Sequence, residues 1–212
     1  MKIFHMKPVV SGEEIILRSI GCQKSDPSYK EFENAFREVK GETFERLDPA
    51  AAVSFGRIPE DFPKSIRFYG RDLFFFCITV GGSVTELSDK YMSRGEFVKG
   101  MIVDGIADNC LFSCEKIVLH EIEKYARDND FGIEGLYDAP DMIEGKMQKV
   151  IASVLKAEKN LGVRVTESYM MSPVKTYAAV MPTVKDPSVM KIYHNCAECD
   201  KKDCSYRSSG GD

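Results

Sequence analysis

Leu73-Phe-Phe-Phe-Cys-Ile-Thr-Val80 is the longest apolar run in the sequence, and Gly81-Gly82 ends it. A run this hydrophobic does not suit a half-exposed sheet edge, because side chains on both faces of the strand need cover from water. It therefore predicts a central strand. Two preceding segments, 51–55 and 65–69, have a similar strand-like composition and predict further strands.

Amphipathic helix patterns lie on both sides of this run in the sequence. Apolar residues recur at spacings of three and four in the segments 11–21, 27–39, 83–127 and 141–160. The pattern over 83–127 predicts either one long helix or two consecutive helices. Two more strands are predicted at 163–166 and 176–184, and a loop rich in glycine at 128–140. Strands and helices therefore alternate along the chain.

Composition and charge exclude several classes of protein. With 43% hydrophobic and 29% charged residues, the chain has the balance of a globular protein that folds in water. Its formal net charge of −4 is spread along the sequence, which argues against a nucleic-acid partner. No apolar run is long enough to cross a membrane, and the amino terminus has no signal-peptide pattern, so we expect no membrane association and a cytoplasmic location.

The carboxy-terminal cysteines form the clearest metal-ligand pattern. Cys196, Cys199 and Cys204 have C-x2-C-x4-C spacing and follow His194. Thiolates at this spacing can converge on an iron-sulfur cluster or zinc, with His194, another cysteine or an exchangeable group as fourth ligand. The alternative is a flexible, reduced tail without metal. We expect one domain over residues 1–190 and a cysteine-containing tail over 191–212.

The segment Val165-Thr166-Glu167-Ser168-Tyr169-Met170-Met171-Ser172-Pro173 resembles the activation domain of cobalamin-dependent methionine synthase. The distinguishing stretch of that family is leucine or valine, then Thr-Glu-Ser, an aromatic or similar residue, and x-Met-x-Pro. The order of helices and strands before this stretch fits the small, stand-alone members of the family. The resemblance implies an α+β fold with a mixed, largely antiparallel sheet flanked by helices, here followed by the short cysteine-containing tail.

The resemblance also implies a function and a set of site residues. Domains of this family bind S-adenosylmethionine and dock on a cobalamin-carrying domain, so that inactive cob(II)alamin is reduced and remethylated. The residues that match the family's ligand-binding segments are Gly135, Tyr137, Asp138, Glu167, Ser168 and Met171. Glu167 and Ser168 have an alternative role as residues that cap a turn, and Met171 has one as ordinary core.

One loop departs from the family pattern. The family's S-adenosylmethionine loop reads Arg-x-x-Pro-Gly-Tyr, whereas the loop here is Phe131-Gly-Ile-Glu-Gly-Leu-Tyr-Asp-Ala-Pro140. Gly135 and Tyr137 match, but Glu134 places a negative charge near the family's arginine. Loss of an arginine that pairs with the ligand's carboxylate predicts weaker direct binding of S-adenosylmethionine.

The leading hypothesis is therefore an accessory protein for a corrinoid (cobalamin-binding) protein or a truncated methionine synthase, with S-adenosylmethionine as ligand and the cobalamin carried by the partner. A second hypothesis is a small iron-sulfur or zinc module that transfers electrons through the tail cysteines. A third is a methyltransferase that uses S-adenosylmethionine on another substrate. No catalytic residue is assigned, because no Ser-His-Asp triad, phosphate-binding glycine loop or H-E-x-x-H helix is recognisable.

Overall fold

The computed structural model of the protein describes residues 1–139 and 142–193. Its elements, in chain order, are β1 (Lys2–His5), α1 (Glu13–Ser19), α2 (Tyr29–Arg46), β2 (Ala50–Gly56), β3 (Leu73–Thr79), α3 (Ser83–Ser93), α4 (Phe97–Asp128), β4 (Gly132–Ile133), β5 (Tyr137–Asp138), α5 (Met147–Leu155), α6 (Ala157–Leu161), β6 (Arg164–Val165), β7 (Met171–Ser172) and β8 (Thr176–Val184). These elements confirm the predicted α+β class.

The main sheet has the strand order β1-β2-β3-β8-β4, and β5 also pairs with β8. Every pairing between these strands is antiparallel, and a single parallel bridge joins Ile133 to Met190. β6 and β7 form a separate two-stranded hairpin. The sheet is thus largely antiparallel, as the resemblance implied.

Strand β3 lies at the centre of the sheet, and all seven of its residues are buried. Phe74, Phe76 and Ile78 belong to the core cluster on one face. Leu73, Phe75 and Cys77 belong to the cluster on the other face. This division follows from the alternation of side chains along a strand. A long helix layer, α1 to α4, covers the first face, and α5 with α6 covers the second.

The strand predicted at 65–69 is wrong, because this segment is a series of turns. The amides of Ile66, Tyr69 and Arg71 each donate a hydrogen bond to the carbonyl three residues earlier. Ile66 is buried and Phe68 is half-buried in the second core cluster, so their spacing of two imitates a strand. The segment is a loop that two apolar side chains anchor to the core.

Two of the predicted helical patterns each contain two helices, which for 83–127 is the second of the two predicted alternatives. The 83–127 pattern forms the two helices α3 and α4, with Gly95 at a positive φ between them. The 141–160 pattern begins as helix only at Met147, and Lys156 in the left-handed conformation separates α5 from α6.

Within residues 1–139 and 142–193, no helix has the combined length and hydrophobicity needed to cross a bilayer.

We predict that Phe76→Ala destabilises the protein by about 3–5 kcal/mol, because it leaves a cavity in a fully buried site. Phe97→Ala is the control, since the Phe97 side chain is 63% exposed and its removal leaves no internal cavity. Urea unfolding gives the free energies. Equal losses in the two variants would contradict the placement of β3 at the centre of the core.

Candidate functional site

The candidate site is built around Tyr137 on the short edge strand β5. The Tyr137 ring lies 4.9 Å from the Phe68 ring, measured between centroids, at an angle of 60°. The guanidinium carbon of Arg67 lies 4.8 Å from the centroids of both rings. Arg71 and Glu134 complete what we call the Tyr137 cluster: Arg67, Phe68, Arg71, Glu134 and Tyr137.

A bulge in the sheet edge gives Tyr137 its orientation. Ile133 pairs with Thr183, and Tyr137 pairs with Val180, so four steps along the edge chain match three along β8. One extra residue in an antiparallel edge is a β-bulge, a device that redirects side chains and is common beside active sites. Gly135 lies in this bulge. A Cβ atom there would be 3.2 Å from Cε2 of Tyr137, so a glycine allows the close approach of the ring.

Glu134 and Arg71 form a two-point ion pair beside Tyr137. Arg71 donates from Nη2 to Glu134 Oε2 at 2.7 Å and from Nη1 to Glu134 Oε1 at 3.3 Å. The Tyr137 hydroxyl donates to Glu134 Oε1 at 3.4 Å. The hydrogen bonds from Arg71, and to a smaller extent the one from Tyr137, hold the pKa of the Glu134 carboxyl below its usual value. Both charged side chains are about one-third exposed, so we expect the pair to contribute less than about 1 kcal/mol to stability.

The two arginines supply the positive charge that the loop sequence lacks. Arg71 comes from a distant segment of the chain and neutralises Glu134. Arg67 donates from Nη1 to the carbonyl of Met142 at 3.1 Å. Among residues 1–139 and 142–193, no carboxylate forms an ion pair with the Arg67 side chain. The Arg67 charge also acts on the Glu134 carboxylate, and the exposed guanidinium has further N–H groups that can donate to a ligand.

Phe68 has a backbone conformation that bulky residues rarely adopt. Its φ is 68°, in the left-handed region that favours glycine. Such a conformation costs roughly 1–3 kcal/mol and persists only where the surroundings impose it, often at binding or catalytic sites. The contacts of its ring with Tyr137 and the second core cluster hold Phe68 in place.

The Thr-Glu-Ser segment forms the turn of the β6–β7 hairpin. The amide of Thr166 donates to the carbonyl of Met170 at 2.8 Å, and the Thr166 hydroxyl accepts from the Met170 amide at 3.0 Å. The hydroxyls of Thr166 and Ser168 are 3.0 Å apart. Glu167 and Ser168 are exposed on this turn, whereas Met171 is buried in the second core cluster.

The segment after residue 141 connects this turn to the Tyr137 cluster. Glu144 Oε1 accepts a hydrogen bond from the backbone amide of Arg67 at 3.3 Å. A Cβ atom at Gly145 would be 3.3 Å from Cβ of Tyr169. Glu144 and Gly145 thus contact the cluster on one side and the hairpin turn on the other. Both groups of predicted residues lie on the side of the sheet that α5 covers.

Asp138 is the exception, because it lies on the opposite face from Tyr137. It pairs with Ala179, which belongs to the α4-side core, and its charge acts on Glu115 of α4. The pKa of the Glu115 carboxyl is raised to about 6. Burial is the larger cause, and the negative charge of Asp138 is the second. The structure therefore places Tyr137 and Asp138, which are adjacent in sequence, in two different environments.

Sequence reasoning missed Arg67, Phe68 and Arg71. The signal was the Arg-Phe-Tyr-Gly-Arg segment, where arginines flank aromatic residues. We interpreted it as a strand, and no local pattern connects it to Tyr137, about 70 residues later in the chain. Only the folded loop brings the two segments together.

The predicted metal ligands His194, Cys196, Cys199 and Cys204 lie outside the described residues, so the tail site stays a prediction. In the part of the chain that the structure describes, no group of three or more His, Cys, Asp or Glu side chains could hold a metal ion. The four cysteines there, Cys22, Cys77, Cys110 and Cys114, are buried and form no disulfide. Burial raises the pKa of the Cys77 thiol to about 12, as expected for an unreactive core residue.

We predict that Glu115 makes stability depend on pH. Its carboxyl pKa is raised from 4.5 to about 6 in the folded protein, so folding favours the protonated form. The stability that this group contributes at acidic pH is lost as pH rises through that interval, by about 2 kcal/mol at most. Glu115→Gln removes the effect. In urea unfolding, the free energy of unfolding of the variant relative to the native protein should be higher at about pH 7.5 than at about pH 5.

Asp138→Asn is the matched variant, since it keeps Glu115 but removes the second cause of the raised pKa. It should show a smaller pH effect in the same direction. If the difference between the native protein and Glu115→Gln does not change with pH, Glu115 does not have the raised pKa.

Comparison with solved structures finds a similar fold. The chain is similar to the MetH reactivation domain in its crystal structure bound to AdoHcy, with a TM-score of 0.58 and 14% sequence identity. The match covers 91% of this chain and 80% of that one. No protein-family model matches the sequence, and no curated protein matches it. At this identity the likeness is one of fold, and it confirms the fold that the Thr-Glu-Ser resemblance implied.

Proposed function

We propose that this protein binds S-adenosylmethionine, or its demethylated product AdoHcy, at the Tyr137 cluster and docks on a corrinoid protein to assist its reductive reactivation. The observation that carries the proposal is the fold shared with the MetH reactivation domain, whose crystal structure contains AdoHcy. The Val165–Pro173 segment and the position of Tyr137 support it. The protein acts as an accessory factor, and its partner carries the cobalamin.

The chemistry of the Tyr137 cluster suits such a ligand. S-adenosylmethionine has a sulfonium cation, an α-carboxylate and a flat adenine ring. Arg67 already lies over the Tyr137 and Phe68 rings, so the ring surface that it leaves uncovered can stack on the planar base. The Arg67 guanidinium can form a two-point hydrogen bond with the carboxylate. Arg71 is already paired with Glu134, so in our proposal Arg67 takes the role of the arginine missing from the loop.

The surface near the hairpin turn has the exposed apolar character of a docking face. Met170 is 61% exposed, Val174 is 66% exposed and Tyr169 is 39% exposed, all within six residues of one another. Clusters of exposed apolar side chains often mark sites of contact with other proteins or large ligands. We propose that these residues cover the corrinoid or the protein surface around it.

We predict that isothermal calorimetry of the full chain detects binding of both S-adenosylmethionine and AdoHcy. Arg67→Gln should weaken binding about tenfold or more, because a charge-assisted hydrogen bond contributes about 1.5–3 kcal/mol. Tyr137→Leu should weaken it as well, through loss of the aromatic face. The controls are Arg127→Gln and Tyr125→Leu, two exposed residues on α4. The absence of binding by the folded native chain would contradict the ligand assignment.

We predict that the protein binds a cobalamin-loaded corrinoid protein and that Met170→Glu weakens this interaction at least several-fold, since a charge then enters an apolar contact. Met101→Glu is the control, because Met101 is also partly exposed but lies on α4. Co-sedimentation with the partner's cobalamin absorbance as the signal measures the binding. Failure to bind with cobalamin in either oxidation state would contradict docking, whatever the calorimetry shows.

A further inference from the structure

One surface depression of the protein is separate from the Tyr137 cluster. It is a shallow groove of about 750 Å³ between α5, α6 and β6. Its lining residues are Lys149, Ala152, Lys156, Ala157, Glu158, Lys159, Val163, Arg164 and Val165. The floor is formed by small and branched apolar side chains and the rim by charged ones. We call it the lysine groove.

The lysine groove is strongly positive in a protein that is negative overall. Four cationic side chains line it against one carboxylate, whereas the whole chain has a formal net charge of −4. The single carboxylate, Glu158, is engaged by Arg164 at 2.7 Å. In the described part of the chain, no carboxylate forms an ion pair with Lys149, Lys156 or Lys159. These three exposed ammonium groups are available to an external anion.

Lys156 occupies a position where glycine would be less strained. It is the residue between α5 and α6, with φ 46° and ψ 49° in the left-handed region. Glycine adopts this conformation without steric conflict and is the usual residue at such a helix end. A lysine there places a charge at the centre of the rim without a structural advantage to the backbone.

The shape and lining of the lysine groove favour one class of anion. Among the described residues, its lining contains no aromatic side chain on which a nucleic-acid base could stack. Arg164 bonds Glu158 through Nε alone, and the other described cations of the lining are lysines, whose ammonium groups are compact point charges rather than planar forks. The groove is open and its floor is apolar, which suits an extended chain with carboxylates on one side and small apolar side chains on the other.

We infer that the lysine groove docks an acidic segment of a protein partner. Lys149, Lys156 and Lys159 would pair with aspartate or glutamate side chains, and the apolar floor would contact the segment between them. Lys149 also lies 5.0 Å from the centre of the Tyr169 ring, so the groove begins beside the hairpin turn. This inference does not depend on the proposed function, because its test contains neither a nucleoside nor a corrinoid.

The test measures fluorescence anisotropy of a labelled peptide of glutamates and alanines, about ten residues long, titrated with the full chain at low and at high salt. The native protein should bind at low salt and lose affinity as salt screens the charges. The triple variant Lys149→Gln, Lys156→Gly, Lys159→Gln should bind the peptide at least about tenfold more weakly than the native protein. Lys7→Gln, Lys30→Gln, Lys40→Gln is the control, since it removes the same charge from exposed positions elsewhere.

Thermal unfolding of Lys156→Gly alone separates folding from binding. This variant removes a charge and a strained φ together, so its midpoint should be no lower than that of the native protein while its peptide affinity falls. Loss of affinity by the groove variant, with affinity retained by the control, supports the inference. Equal losses in both variants, or no peptide binding at all, overturn it. Equally tight, lysine-dependent binding of a single-stranded oligonucleotide of matched charge also overturns it in favour of a general polyanion site.

Discussion

Burial of β3 on both faces is the constraint on which the rest of this structure depends. All seven residues from Leu73 to Thr79 are buried, and three apolar side chains project to each side. A strand with this sequence is stable only between two covering layers. One layer is the bundle around the long helix α4, and the other is the smaller pair α5 and α6. The Tyr137 cluster and the lysine groove both lie on the side of the sheet that this second layer covers.

The proposed ligand site lies where the regular sheet ends. Beyond β8 the edge consists of two short strands and a bulge, so backbone and side chains change direction within a few residues. Tyr137 then faces the loop that carries Arg67 and Phe68, and Asp138 faces α4. A two-residue strand paired to a buried neighbour is sufficient to fix this division, because adjacent side chains on a strand point to opposite faces.

Charge is distributed unevenly on this side of the sheet, and we propose different roles for its two surfaces. In the Tyr137 cluster, Arg71 is neutralised by Glu134, which leaves one guanidinium beside two aromatic rings. Such a site suits a small ligand with both a cationic and an anionic group. The lysine groove instead combines an open apolar floor with several ammonium groups that form no ion pair with a described carboxylate, which suits a longer acidic chain. Both lie near Tyr169, so a partner on one surface would be close to the other.

The sequence by itself determined the central strand, the helices around it, the last long strand and the family resemblance at residues 165–173, because each is encoded by a local pattern of apolar spacing or by residue order. It also predicted Gly135 and Tyr137 as candidate ligand residues of the 128–140 loop, the segment that contains the short edge strands. Only the tertiary structure decided that segment 65–69 is a loop, that Arg67 and Phe68 contact Tyr137, and that Asp138 lies apart from it. The physical reason is that these facts depend on which distant segments meet and on one extra residue in a strand pairing. Neither leaves a periodic signal in the sequence.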